Sequence, residues 1–419
     1  MRIGLIAPPW LPVPPPKYGG TEAVVDRLAR GLAERGHDVL LFCTGDSTCP
    51  VPKAWVFETA KRAELGQVVV ELRHVIGAYD AMIGCDVVHD HSVVGPMYSE
   101  RFPELLTVAT AHGPFRGDLH DVYRAIGPGV PIIAISHHQA STAGPIPIAA
   151  VIHHGVEPHA FPVGTGGGGY YCWLGRMASY KGPREAIQVA RRAGVPLLLA
   201  GKIEHENEVE YFRDQVEPLL GGDIEYVGEI GPEQRAAFLG DAVALINPIT
   251  WSEPFGLSMV ESLACGTPVV AFPRGSAPEI VEDGVTGLLC KNIDEMVARL
   301  PEVARLDRSA CRKVVEGHFS AERMVDEHIA LYTRLLQARR DVSVLDQPGH
   351  RWPARPDESY DITDATDIDG SRGAVDASAD SHGHAVAEGD LGDGEFVDTS
   401  RQLRIEPDAA VRDPRIETQ

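Results

Sequence analysis

The sequence has no surplus of basic residues, no long apolar run and no paired-cysteine motif, and each absence removes a class of function. Over 419 residues, 38 Lys and Arg stand against 60 Asp and Glu, a formal net charge of −22. Nucleic acid as main partner is excluded, because phosphate backbones are held by clustered cations. The same sign disfavours an anionic membrane surface. No apolar stretch reaches the roughly 20 residues that span a bilayer, so no stable membrane insertion is expected. The opening run Ile3–Ala7 is too short for a signal-peptide core and ends in Pro8-Pro9. The seven cysteines, at 43, 49, 85, 172, 265, 290 and 311, contain no Cys-x-x-Cys pair. A scattered, odd set reads as reduced thiols, which places the expectation in the cytoplasm.

The acidity is uneven. Residues 341–419 carry 19 acidic and 7 basic side chains, a net of −12 that leaves −10 for the first 340 residues. In this tail Asp, Gly, Ser and Ala dominate, and large apolar residues are few. Burial there cannot offset the entropy of ordering, so an acidic disordered tail is expected over 341–419.

Before the tail, short apolar runs alternate with helical patterns. Arg2–Ala7, Val39–Cys43, Asp86–His89, Leu106–Ala111 and Pro131–Ser136 read as buried strands. Glu22–Arg35 reads as an amphipathic helix, with Val24, Val25, Leu28, Leu32 and Ala33 on one face. The string PVGTGGGG at Pro162–Gly169 interrupts this rhythm. It has no Lys-Ser/Thr pair and no following helix, so it reads as a flexible linker rather than a phosphate cradle. The alternation then restarts. Strands are expected at Tyr170–Leu174, Leu197–Ala200, Ile224–Val227, Val243–Ile246 and Val269–Phe272. Helices are expected at Pro183–Ala193, Pro232–Leu239, Leu257–Ala264 and Ala321–Ala338. The fold class is α/β: two doubly wound, Rossmann-like domains facing a cleft, followed by the tail. The expected divisions are 1–163, a linker at 164–169, a second domain at 170–320 and a helix at 321–340 that packs back on the first domain.

Three segments carry chemistry. In Trp251–Phe272, Glu253 precedes a helix that starts near Leu257, and Glu261 lies about one turn inside it. The free amides near Gly256, Leu257 and Ser258, with the helix dipole, form a site suited to an anion. Glu253 can accept hydrogen bonds from sugar hydroxyls, and Glu261 from a ribose. In Gly175–Gly182, Arg176 and Lys181 follow a strand and can hold a diphosphate and the charge that develops on it. In Lys17–Glu22, Gly19 and Gly20 sit between the first strand and the first helix, where backbone can approach a phosphate closely. Taken singly, each segment also reads as a capped helix, a solvated loop or a plain turn. The histidines at 89, 91, 112, 137, 138, 153 and 154 have no His-Glu-x-x-His spacing, and no metal is expected.

The string from Trp251 to Gly287 strongly resembles the family 4 retaining glycosyltransferases of GT-B fold. The matching elements are Glu253 and Glu261 with seven residues between them, Gly266-Thr267-Pro268-Val269-Val270, Pro278-Glu279-Ile280 and Asp283-Gly284-x-x-Gly287. Gly175-Arg176, Lys181-Gly182 and Tyr18-Gly19-Gly20-Thr21-Glu22 match as well, and the resemblance spans about residues 1–338. It implies that Arg176 and Lys181 bind the donor diphosphate, that Glu253 contacts the transferred sugar and Glu261 the ribose. It also implies that Gly19 or Gly20 approaches the phosphates and that His112, in Thr110-Ala111-His112-Gly113, lies near the donor sugar. His154 departs from the family pattern, which has Asn there. The string PPPKYGGTE is similar to a subgroup of glucosyltransferases acting on pterins. The implied activity is metal-independent, cofactor-free retaining transfer of a hexose, glucose foremost, from a nucleotide-sugar to a small-molecule or glycan acceptor. A nucleotide-sugar epimerase or hydrolase on the same fold, and a non-catalytic nucleotide-sugar-binding module, remain as rival readings.

Overall fold

The computed structural model describes residues 1–345 and 404–405. Two parallel sheets form the framework. The first contains β1 (Arg2–Ile6), β2 (Asp38–Phe42), β3 (Lys53–Trp55), β4 (Val87–Asp90), β5 (Leu106–Thr110), β6 (Ile132–Ala134) and β7 (Ile148–Val151). The second contains β8 (Tyr171–Arg176), β9 (Leu197–Lys202), β10 (Ile224–Tyr226), β11 (Leu245–Asn247), β12 (Val269–Ala271) and β13 (Gly287–Leu289). Strand order runs β3-β2-β1-β4-β5-β6-β7 in the first sheet and β10-β9-β8-β11-β12-β13 in the second. Both orders reverse direction beside their first strand, at β1/β4 and at β8/β11. In such sheets the loops leaving the two strands diverge and open a crevice at their carboxyl ends, where ligands bind.

The apolar runs became strands because both faces of each sheet are covered. Ile3, Leu5, Ile6, Leu41, Val87 and Val88 are fully buried, and so are Cys172, Leu199, Leu245, Ile246, Val269 and Val270. Such strands read as continuous apolar runs rather than alternating ones. The sequence reading passed over β3, β7 and β13, which have only three or four residues each. Their pairing partners, more than their own composition, make them strands.

The helix Ala321–Leu345 leaves the second domain and packs on the first. Its Met324, Val325, Leu331 and Tyr332 join Ile3, Leu5, Val25 and Leu28 in one buried cluster. A Cβ on Gly31 would stand 2.5 Å from Val325 Cγ2, so a glycine is needed where this helix crosses Gly20–Glu34. The crossing point is tied by backbone bonds from Val156 N–H to Phe319 O at 2.9 Å and from Ala321 N–H to Val156 O at 2.7 Å.

One expectation needs correction. The glycine run is a connection, but not a slack one. Gly164, Gly166 and Gly168 donate to Cys265 O, Gly240 O and Asp241 O at 3.0, 3.1 and 2.9 Å, and Arg308 Nε donates to Gly164 O at 2.8 Å. A Cβ on Gly164 would lie 2.1 Å from Gly240 O. Here glycine serves close backbone packing, not freedom. The expected disordered tail lies largely outside the described residues. Within it, the last helix continues to Leu345, and Arg404–Ile405 form β14, antiparallel to β3 at the edge of the first sheet. Among the described residues, no helix is long and apolar enough to cross a membrane.

Candidate active site

The loops at the two switch points face each other across a cleft of about 450 Å³. Every site residue singled out from the sequence lines it: Gly19, Gly20, His112, Arg176, Lys181, Glu253, Gly256, Leu257, Ser258 and Glu261. The first domain supplies the loop after β1 and the residues after β4 and β5. The second supplies the strand ends of β8 and β9, the loop after β11 and the helix Leu257–Ala264.

On the second domain's wall each cation is matched to a carboxylate. Lys181 closes a short turn, Ser179–Lys181, before Gly182 enters the next helix in the left-handed conformation (φ 74°). Its Nζ lies 2.5 Å from Glu253 Oε2, and both side chains are largely buried. Burial works to lower the Lys181 pKa, but Glu253, Tyr18 and Tyr180 outweigh it and leave it raised, so the ammonium stays charged. The Trp251 indole N–H also donates to Glu253 Oε2, at 2.7 Å. Arg176, the last residue of β8, has its Nε 3.4 Å from the buried carboxylate of Glu208. Glu261 is 4% exposed and accepts from Arg235 Nη1 at 3.0 and 3.3 Å. Gly256 caps the helix Leu257–Ala264 in the left-handed region (φ 97°), where a Cβ would also meet Met259 Cε at 2.4 Å.

On the opposite wall, Gly19 is extended and packed so closely that a Cβ would lie 2.7 Å from Pro15 Cβ. Gly20 faces Leu257 of the second domain, whose Cδ1 would be 3.5 Å from a Cβ there. His112 follows β5, and its Nε2 is 2.9 Å from His91 Nδ1.

Five further charged residues of the cleft, Glu22, Arg62, Lys202, Glu204 and Arg235, escaped the sequence reading as site residues. Lys202 ends β9 directly beside Arg176 in the sheet register and is only 4% exposed. It pairs with Glu204, which also pairs with Arg62 of the first domain across the cleft. Its signal was present: a lysine two residues beyond an apolar run, at a strand end next to Gly175-Arg176. Arg235 gave no signal, because a helix arginine reads as solvated surface. Arg62 gave none either, lying in a single 3₁₀ turn. Glu22 was read as part of YGGTE only; its side chain is buried at the start of the first helix. Burial pushes its carboxyl up to about 7, against the pull of its own backbone N–H and of Lys202.

A second set of contacts joins the two domains beside the cleft. Glu279, on the short helix Ala277–Ile280, accepts from the backbone N–H groups of His137 and His138 at 2.9 and 2.6 Å and contacts His153 Nε2 at 2.7 Å. Potential ligand atoms of His137, His153 and Glu279 come within 4.8 Å of one another. Both Glu279 oxygens are already engaged, so the group serves as a latch between domains.

Residues 18–160 match the family described as Glycosyltransferase Family 4, and residues 165–315 match Glycosyl transferases group 1. The two matches meet at the glycine strap and together cover both walls of the cleft. The chain is a family 4 glycosyltransferase of GT-B fold. This glycosyltransferase is 25% identical over 313 residues to a phosphatidyl-myo-inositol mannosyltransferase of Propionibacterium freudenreichii subsp. shermanii, covering 68% of this chain and 80% of that one. It is 26% identical over 420 residues to a D-inositol 3-phosphate glycosyltransferase of Mycolicibacterium vanbaalenii, covering 80% and 90%. Its fold is that of the crystal structure of a glycosyltransferase involved in avilamycin A biosynthesis, with a TM-score of 0.60 at 24% identity over 80% of this chain and 98% of that one. Anabaena HepE, solved with UDP-glucose, superposes with a TM-score of 0.62 at 17% identity, over 81% and 100%. The narrower resemblance to pterin glucosyltransferases has no counterpart among these relatives.

Proposed function

We propose that this glycosyltransferase carries out retaining transfer of a hexose, glucose foremost, from a nucleoside diphosphate sugar to a small-molecule or glycan acceptor, without a metal. One observation carries the reading: a glycine-walled crevice on one domain faces Arg176, Lys181 and the start of the helix Leu257–Ala264 on the other, all lining one cleft. The UDP-glucose bound to HepE supports the choice of donor class.

In this scheme the pyrophosphate lies between Arg176, Lys181 and the helix mouth at Gly256, Leu257 and Ser258. Lys202, next to Arg176 at the strand ends, adds a third cation. The carboxylates of Glu208, Glu253 and Glu204 that neutralise these cations keep the crevice from carrying unpaired buried charge. The donor phosphates take over part of that pairing. Glu261, oriented by Arg235, accepts from the ribose hydroxyls, and Glu253 accepts from the sugar. As the anomeric bond loosens, charge grows on the departing phosphate, and the fixed cations stabilise it without reorganising. The acceptor hydroxyl attacks from the same face and passes its proton to the leaving phosphate. No side-chain nucleophile is needed. The interdomain contacts of Arg62 with Glu204 and of Glu279 with His153 close the cleft against water, which would otherwise hydrolyse the donor.

The test is a thermal-shift screen against UDP-, GDP- and ADP-linked sugars. A ligand at about 100 times its Kd stabilises the folded form by about 2.7 kcal/mol, which raises Tm by a few degrees. The expected result is one nucleotide class that shifts Tm, with the anomeric configuration of the product matching the donor by NMR. An inverted product, or no shift with any donor, overturns the proposal.

A further inference from the structure

Five imidazoles pack side by side beneath the cleft. His89 lies between His328 and His91, with ring centroids 5.3 and 4.0 Å away and the rings tilted; His112 stands 5.2 Å from both His91 and His154. Among the described residues, no carboxylate is a hydrogen-bond partner of these rings. Asp90, between His89 and His91 in sequence, is taken up by Ser92 and Tyr79. Burial holds His112 and His328 down to about 4 and the other three well below the ordinary imidazole range. At neutral pH each ring therefore has one N–H and one bare nitrogen, and each hydrogen bond limits where the proton sits.

The pair His91–His112 shares a single bond, Nδ1 to Nε2 at 2.9 Å. Either ring could donate. His91 Nε2 decides between them, because it is buried with no partner among the described residues. Were His112 the donor, His91 would carry its own proton on Nε2, as a buried N–H with nothing to receive it. Orphaned donors are rare, whereas under-satisfied acceptors are better tolerated. With His91 as donor, Nε2 is the bare nitrogen, and the only proton of His112 must sit on Nδ1. That atom makes no hydrogen bond to the described residues, and the ring lines the cleft.

From this geometry we infer that His91 is a positioning residue that holds His112 in its Nδ1–H tautomer, so that His112 offers the substrate a hydrogen-bond donor and no base. The inference rests on the donor-site reading and deepens it. The group received at His112 is an oxygen acceptor, a hydroxyl of the transferred sugar. The acceptor's proton does not go to His112.

Binding of UDP-glucose and of UDP to the full chain, measured by calorimetry in the wild type and in His91→Phe and His91→Asn, separates the outcomes. If another nucleotide shifts Tm in the screen above, its sugar and its diphosphate take their place. Asn places an amide N–H near the position of His Nδ1. His91→Phe should weaken UDP-glucose about tenfold, the worth of one hydrogen bond of roughly 1.4 kcal/mol, and leave UDP unchanged. His91→Asn should restore the lost factor. Long-range proton–nitrogen NMR of the wild type should show His91 and His112 both protonated at Nδ1; in His91→Phe the His91 signal is lost and the His112 signal is altered. Equal weakening of UDP and UDP-glucose, or His91→Asn no better than His91→Phe, overturns the inference. A wild-type protein that binds no nucleotide at all overturns the donor site itself.

Discussion

Lys181 and Glu253 allow charge neutralisation to be separated from catalysis. Their side chains are 14% and 13% exposed and 2.5 Å apart, so each is the other's main counter-charge. In Lys181→Met the apolar stem remains and the charge goes. Glu253 is then left with the Trp251 indole N–H as its remaining donor. Stranding one partner of a buried pair costs about 3–5 kcal/mol. The ammonium is also proposed to stabilise the leaving pyrophosphate, and loss of one such donor lowers turnover by about 10²–10³. The two losses respond differently to a second change. Adding Glu253→Gln removes the stranded charge, and because Glu253→Gln alone strands the Lys181 ammonium in turn, the double variant should be more stable than either single variant by about 2 kcal/mol or more. Turnover should not follow. The double variant should remain about 10²-fold below Glu253→Gln, because no cation has returned to the phosphate. Urea denaturation supplies the stabilities, and nucleotide release from the donor supplies the rates. Equal turnover in the double variant and in Glu253→Gln would refute the reasoning, since Lys181 would then serve only to neutralise its neighbour.

Two further outcomes follow from residues that the sequence reading missed. Lys202→Met should weaken binding of the nucleoside diphosphate about tenfold by calorimetry, as expected for a lost charge-assisted contact of roughly 1.4 kcal/mol, and should flatten its salt dependence; unchanged affinity removes the third cation. Glu22 holds its proton in the folded protein up to about pH 7, whereas its ordinary value is 4.5. Between those values the unfolded chain gives up the proton first, so this residue's contribution to stability falls as pH rises from about 4.5 to 7 and is level above. The total is on the order of 3 kcal/mol. Glu22→Gln should abolish that fall, measured as the wild-type minus variant unfolding free energy across pH 4.5–8. A flat difference would show that Glu22 is ionised in the folded state.

Much of this protein was written locally. Val24, Val25, Leu28 and Leu32 recur at helical spacing, and the helix they predict forms at Gly20–Glu34. Pro183–Ala193 and Leu257–Ala264 have the bounds that Pro at the first turn and Gly at the ends announce. Runs such as Leu197–Ala200 are apolar because both sheet faces are covered. The glycines at 19, 20 and 256, with Arg176 at the end of a strand and Lys181 just past it, were legible as strand-end positions, and they line the cleft. Strand–loop–helix order alone puts them at carboxyl strand ends.

Other features had no local trace. Short β7 and β13 exist only through their neighbours. The glycine strap looked slack in sequence and is fastened by Gly240, Asp241 and Cys265, residues about 70 to 100 positions away. The pairing of Arg235 with Glu261, of Arg62 with Glu204 and of His91 with His112 joins residues that neither spacing nor periodicity links. Periodicity reports which face of an element is buried, a property of consecutive residues. Which charge meets which, and which imidazole holds a proton, depends on distances between separate elements and on how much water they exclude. Only the folded chain sets those quantities.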